Sequence, residues 1–171
     1  MTRVNRRTFC RFAALGGGAT LFSVAFPDRP SFAAGAADAL LLSCMDYRLV
    51  GETERYMAGR GMRGKYDHVV LAGASLGAVT DTYPDWGRTF WEHLDVAIQL
   101  HQIHKVMVLD HRDCGAYKTI LGQDLAANRT RETDVHGTQL RALRTEIRKR
   151  HKELDVELLL MALDGKVETV A

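Results

Sequence analysis

The sequence predicts an α/β domain with a mainly parallel four-stranded sheet, helices on its faces and a short extra edge strand. Three observations predict it. Short, uninterrupted apolar runs recur along the chain, the pattern of strands buried on both faces. Between them lie segments whose apolar residues fall three or four apart, the period of a helix packed on one side. Polar, chemistry-bearing residues gather just behind two of the apolar runs, where open α/β sheets place their ligands. Composition agrees: 171 residues, 46% apolar and 26% charged, suit one globular domain with a core of useful size.

The first 33 residues read as a leader. Arg6 and Arg7 stand ahead of a mild apolar stretch from Phe12 to Phe26, followed by Pro27, Pro30 and the small-residue run SFAAGAADA. That is the order of a charged region, an apolar region and a cleavage site. Gly16, Gly17 and Gly18 interrupt the stretch, which falls short of the roughly 20 strongly apolar residues of a spanning helix. The expectation is therefore cleavage, after Ala33 or Ala36, with no stable membrane span afterwards. The string NRRTF resembles a twin-arginine export signal, with Asn5 where Ser or Thr is commoner, and Cys10 and Arg11 in place of Leu and Lys. The alternative is an ordinary secretory signal that contains two arginines, and the weak, glycine-containing apolar region favours the twin-arginine reading. Either route implies a periplasmic or secreted domain, residues 34–171.

Along that domain, ALLL at 39–42 is the first strand. Leu49, Val50, Tyr56 and Met57 fit a modest helix over 49–58, closed by a segment with three glycines at 59–64. DHVVLAG at 67–73 is the second strand. After Pro84, Phe90, Leu94, Ala97, Ile98 and His101 share one face of a helix over 86–104. KVMVLD at 105–110 is the third strand. Leu140, Leu143 and Ile147 stripe a long polar helix over 136–153, with Arg148, Lys149, Arg150 and Lys152 near its negative end. VELLLMAL at 156–163 is the fourth strand, and a tight turn at 164–166 leads into the short final strand, 167–170. Their order in the sheet is not fixed by this reading.

Charge narrows the function. The leader carries a local +4, so the remaining body sums to −2, which gives no electrostatic reason to expect nucleic acid. Three cysteines, one of them in the leader, are too few for a disulfide scaffold. The remaining two stand among polar residues. Past the first strand, Cys44, Asp46 and Arg48 alternate onto one side if the backbone stays extended. Past the third stand Asp110, His111, Arg112, Asp113, Cys114 and Gly115. If those strands are neighbours, Cys44, His111 and Cys114 converge, although Cys44 lies 67 positions before His111. Two thiolates and an imidazole are a preferred donor set for zinc and leave the fourth tetrahedral position open. The plainer alternatives are two buried small side chains or a disulfide.

Cys44-Met-Asp46-Tyr-Arg48 and His111-Arg-Asp-Cys114-Gly115 resemble the C-x-D-x-R and H-x-x-C-G motifs of the β-class carbonic anhydrases, in the same order, within an α/β pattern over most of 40–163. The resemblance implies a β-carbonic anhydrase-like fold and one Zn2+ per chain on Cys44, His111 and Cys114. It makes Asp46 and Arg48 the catalytic pair, and the reaction the reversible hydration of carbon dioxide to bicarbonate by hydroxide generated at the zinc. It also implies a homodimer or higher homo-oligomer. The chain departs from the family at Tyr47, where Ser is usual, and at LAGASLG, where arginine and asparagine are usual near AG. It also lacks the substrate-binding glutamine and helical arm that usually precede the first strand. Relatives of the fold hydrolyse carbonyl sulfide or carbon disulfide, so a carbon dioxide analogue is an alternative substrate, and zinc binding without turnover is another reading.

A rival from a different class rests on Gly73-Ala-Ser75-Leu-Gly77, which matches the nucleophile elbow of serine hydrolases and follows a strand. It would need an acid and a histidine such as Asp110 and His136. Against it, the domain is small and no good helical run begins before Pro84. His93, His101 and His104 read as helix-face or helix-end histidines. Asp113 either orients a metal donor or caps a helix starting near Gly115. Trp86, Phe90 and Trp91 read as core or as a dimer contact.

Overall fold

The computed structural model describes residues 35–171; the leader and its expected signal lie outside the described residues. The sheet has five strands in the order β2-β1-β3-β4-β5, with β1 at Ala39–Cys44, β2 at Tyr66–Leu71, β3 at Lys105–His111, β4 at Asp155–Met161 and β5 at Val167–Thr169. The first four are parallel, and β5 runs antiparallel along β4 at the edge. The predicted α/β class, the parallel four-strand sheet and the short edge strand are all present.

Among the described residues, five α-helices connect the strands: α1 (Val50–Gly59), α2 (Ser75–Val79), α3 (Pro84–His101), α4 (Gly115–Leu121) and α5 (Arg129–Arg150). Alternation along each strand sorts the core into two layers. Leu40 and Leu42 of β1, with Val106 and Val108 of β3, face Phe90 and Leu94 of α3 and Leu140, Leu143 and Ile147 of α5. Ala39 and Leu41, with Met107 and Leu109, face the opposite way onto Leu49 and Met57, around the single helix α1. No helix among the described residues is long and apolar enough to cross a membrane.

Helix ends explain where the sequence reading and the structure part. Pro84 opens α3, its missing N–H costing nothing at the first helical position, two residues before the apolar stripe becomes visible. Asn128 caps α5 by accepting from the Arg131 N–H, so that helix begins seven residues before 136. Its first two turns, RTRETDV, are too polar to show a stripe. The one-turn helix α2 escaped the reading altogether, being too short for periodicity to register.

The order β2-β1-β3-β4 places β1 and β3 side by side, with Ser43 paired to Leu109. From β1 the chain leaves toward β2 on one side, and from β3 toward β4 on the other. The crevice past the carboxyl ends of β1 and β3 is therefore the point at which the connections diverge. Cys44 and His111 are the last residues of those two strands.

Candidate metal centre

Cys44 ends β1, His111 ends β3, and Cys114 stands at the N-cap of α4. Between the last two, Asp113 takes a positive φ of 54°, which folds the turn back so that Cys114 faces Cys44. The Cys44 and Cys114 Sγ atoms are 3.8 Å apart. One nitrogen of His111 joins them, all three atoms lying within 4.8 Å of one another. This is the only such group of His, Cys, Asp or Glu donors found among the described residues. Both thiols are free, and their separation far exceeds a disulfide bond of about 2.05 Å.

His111 supplies the test of fit. Its Nδ1 lies 2.8 Å from the Arg112 carbonyl oxygen and donates to it, which leaves Nε2 as the lone-pair nitrogen. That nitrogen is buried and has no partner within the protein. A buried unpaired polar atom is costly, and this one belongs to a cluster with two soft sulfurs. The donor chemistry suits zinc. Electrostatics prepare the same ligand. Cys44 is pulled well down, first by the hydrogen bond from Cys114 and further by His111 and the Gly73 N–H, which together outweigh burial. Cys114 is pushed up by the same contact and by burial. For His111, burial acts downward but is outweighed by the neighbouring Cys44, so the imidazole is raised. The contact between the two sulfurs thus favours loss of the proton at Cys44 over Cys114.

Beside the cluster, Asp46 and Arg48 form a bidentate pair. Arg48 Nη2 donates to Asp46 Oδ2 at 2.8 Å and Nε to Oδ1 at 3.0 Å, while the Arg48 backbone N–H also reaches Oδ1 at 3.0 Å. Those bonds hold Asp46 down to about 2. Its Oδ2 stands 3.8 Å from His111 Nε2, at the rim of the donor cluster. The sequence reading left Asp113 as an orienting group or a cap. It caps nothing here. Its carboxylate accepts from Arg48 Nη1 at 2.8 Å and its carbonyl from Nη2 at 2.9 Å, so Arg48 is gripped from both motifs at once.

The mouth opens into a cavity of about 260 Å³ lined by Cys44, Asp46, Tyr83, Trp86, Cys114 and Ile120 among others. Tyr83 and Trp86, both in its lining, stack on each other with ring centroids 4.1 Å apart. Trp86 is thus a wall of the mouth, whereas Phe90 is buried core and Trp91 packs edge-on against it.

Ser75 does not have the geometry of a nucleophile. It is fully buried, its Oγ donates to Asp110 Oδ2 at 2.7 Å, and His136 Nδ1 bonds that same oxygen at 2.9 Å. The carboxylate sits between hydroxyl and imidazole, where a triad needs the imidazole in the middle. His101 Nδ1 bonds Asp67 at 2.7 Å and His93 Nδ1 the Thr89 carbonyl at 2.8 Å, both away from the sulfurs. One network went unread. Buried Arg112 donates to Glu132 on α5 and to Glu168 on β5, and Glu132 also accepts the Asp113 N–H at 2.6 Å. Arg112 was visible beside His111, but its partners lie 20 and 56 positions away, with no motif to mark them.

A family model described as "Putative carbonic anhydrase" matches residues 35–171. An uncharacterized protein of Rickettsia conorii is 40% identical over 134 residues, 78% of this chain and 72% of the relative. Among solved structures, a carbonic anhydrase from Glaciozyma antarctica superposes with a TM-score of 0.55 at 15% identity, over 98% of this chain and 96% of the other. Isoform I of the β-carbonic anhydrase of Trichomonas vaginalis gives 0.51 at 18% identity, over 79% of this chain and 84% of the other.

Proposed function

The chain belongs to the carbonic anhydrase family whose model it matches and has the β-carbonic anhydrase fold, and from that premise we propose a zinc-dependent enzyme that reversibly hydrates carbon dioxide to bicarbonate. One observation carries the reading: the unpartnered, buried Nε2 of His111 clustered with two free cysteine sulfurs. Cys44, His111 and Cys114 would hold one zinc per chain. Bound there, zinc would supply Lewis acidity that brings the pKa of water far down toward neutrality.

The protein's own groups do the rest. Asp46 is ionised at any pH well above 2 and presents acceptor lone pairs at the rim of the donor cluster, where a proton from attacking water can be received. Arg48 fixes that carboxylate by two parallel bonds and keeps it out of the donor cluster. Asp113 in turn fixes Arg48. The apolar wall of Tyr83, Trp86 and Ile120 accepts an uncharged linear substrate and offers a charged product few polar partners. The same wall suits carbonyl sulfide or carbon disulfide, which form the second reading.

Stopped-flow measurement on zinc-loaded protein, comparing carbon dioxide, carbonyl sulfide and a simple ester, tests both. Carbon dioxide hydration should dominate. Faster turnover of carbonyl sulfide would select the second reading, and rapid ester cleavage by metal-free protein that is lost in Ser75→Ala would overturn both.

We also propose export and self-association. The resemblance of NRRTF to a twin-arginine signal supports export. Exposed Met45, Tyr47, Val50, Val70 and Tyr83, all on or near the segments around the mouth, support a homodimer that covers them. Protein recovered from the periplasm should begin just after Ala33 or Ala36 by intact mass and scatter light as two chains or more. A cytoplasmic, unprocessed monomer would contradict both proposals.

A further inference from the structure

We propose that Asp110 is a positioning residue, one buried carboxylate that ties together the segments presenting the three metal donors; this rests on the zinc reading above. Asp110 is 1% exposed and immediately precedes His111 on β3. Four donors converge on its two oxygens. The Ser75 N–H reaches Oδ1 at 2.9 Å, while Ser75 Oγ at 2.7 Å, the Tyr117 hydroxyl at 2.6 Å and His136 Nδ1 at 2.9 Å all reach Oδ2. Ser75, Tyr117 and His136 are themselves buried. None of the four touches the mouth, so whatever they contribute to the centre passes through other groups.

Two of the three donor residues come from segments that adjoin a ligand, and the third braces one of them. Ser75 opens α2 just after Gly73, and the Gly73 N–H donates to Cys44 Sγ at 3.3 Å. The loop that carries this N–H takes φ of +77° at Gly73 and +39° at Ala74. The second is an unfavourable value for a residue with a Cβ and persists only where the surroundings enforce it. The two bonds from Ser75 to Asp110 are that enforcement. Tyr117 lies in the first turn of α4, three residues after Cys114, which stands at that helix's N-cap. Its hydroxyl pins this turn to the same oxygen. His136 brings in α5, with its ring against Tyr117 at 3.8 Å between centroids. Asp110 thereby sets where Cys44 and Cys114 stand relative to its own neighbour, His111. Burying a carboxylate is costly unless its lone pairs are filled, and here they are filled by the groups that need placing.

Ser75→Ala and Tyr117→Phe each delete one bond to the hub without leaving a charge behind. Zinc affinity, read by competition with a chromophoric chelator, should fall about 10- to 100-fold in each variant, the loss typical when a partner of a metal ligand is removed. The cobalt-substituted absorption spectrum should change, while far-UV circular dichroism stays as in the wild type. In metal-free Ser75→Ala, hydrogen exchange at the Gly73 amide should accelerate, with amides of β4 unchanged. Unaltered affinity, cobalt spectrum and Gly73 exchange in both variants would overturn the proposal. If one variant does not fold, the other decides through affinity and cobalt spectrum. Wild-type protein that takes up no zinc would sink the zinc reading, and the Gly73 exchange rate would still decide whether Asp110 holds that loop.

Discussion

Replacing Cys44 with Ser is expected to take the protein from about one zinc per chain to almost none after dialysis, and activity should vanish with the metal. Cys44 is the donor the site prepares most strongly, its thiolate favoured by Cys114, His111 and the Gly73 N–H together. A serine hydroxyl fills nearly the same space yet does not ionise at neutral pH and is a harder, weaker ligand. The fold should survive, since Cys44 is only half-buried and its backbone remains in register with Leu71 of β2. Metal analysis of wild type and variant, prepared identically under reducing conditions, reads the result directly. Full zinc retention in Cys44→Ser would remove the basis of the site.

Arg48→Ala should keep its zinc and still lose about 100- to 1,000-fold in the rate of carbon dioxide hydration, the loss typical when one preorganised electrostatic partner is removed. Arg48 makes three side-chain bonds to Asp46 and two contacts to Asp113. Without it, Asp46 is free to swing, and its Oδ2 starts only 3.8 Å from the lone-pair nitrogen of His111. X-ray absorption of the loaded variant should then report one extra carboxylate oxygen around the metal. Acidity follows in a fixed direction. Arg48 holds Asp46 below its ordinary 3.8 at about 2, so the pairing is fully present above 3.8 and fades only as pH falls through 2. Between pH 5 and 9 the pair is therefore constant, and any pH dependence of the wild-type rate in that range comes from other groups. A variant with wild-type rate and an unchanged metal shell would remove the role assigned to Arg48.

The strands and the donor residues were legible for a simple reason. Continuous apolar runs such as LLL at 40–42 and VMVL at 106–109 report burial on both faces, and the residues just past a parallel strand are placed by its geometry. Cys44, His111, Cys114, Asp46 and Arg48 all sit there, within a few positions of a strand end. What escaped was whatever depends on sheet order or on pairs distant in sequence. Arg48 and Asp113 are 65 positions apart, Arg112 and Glu132 20, Arg112 and Glu168 56. No period or motif links such residues before the fold is known. The G-x-S-x-G string shows the hazard: its glycines do serve a tight approach, since a Cβ on Gly77 would meet the Ala72 carbonyl oxygen, but the approach is backbone packing.

The Arg112 network bears on when the centre forms during synthesis. Its guanidinium is satisfied partly by Glu132 and partly by Glu168, the latter made 56 residues after Arg112 itself. A nascent chain that stops short of β5 leaves a buried cation incompletely matched beside the turn from His111 to Cys114. The turn from His111 to Cys114 is thus held in part from the edge of the sheet, so its final setting waits on the docking of β5.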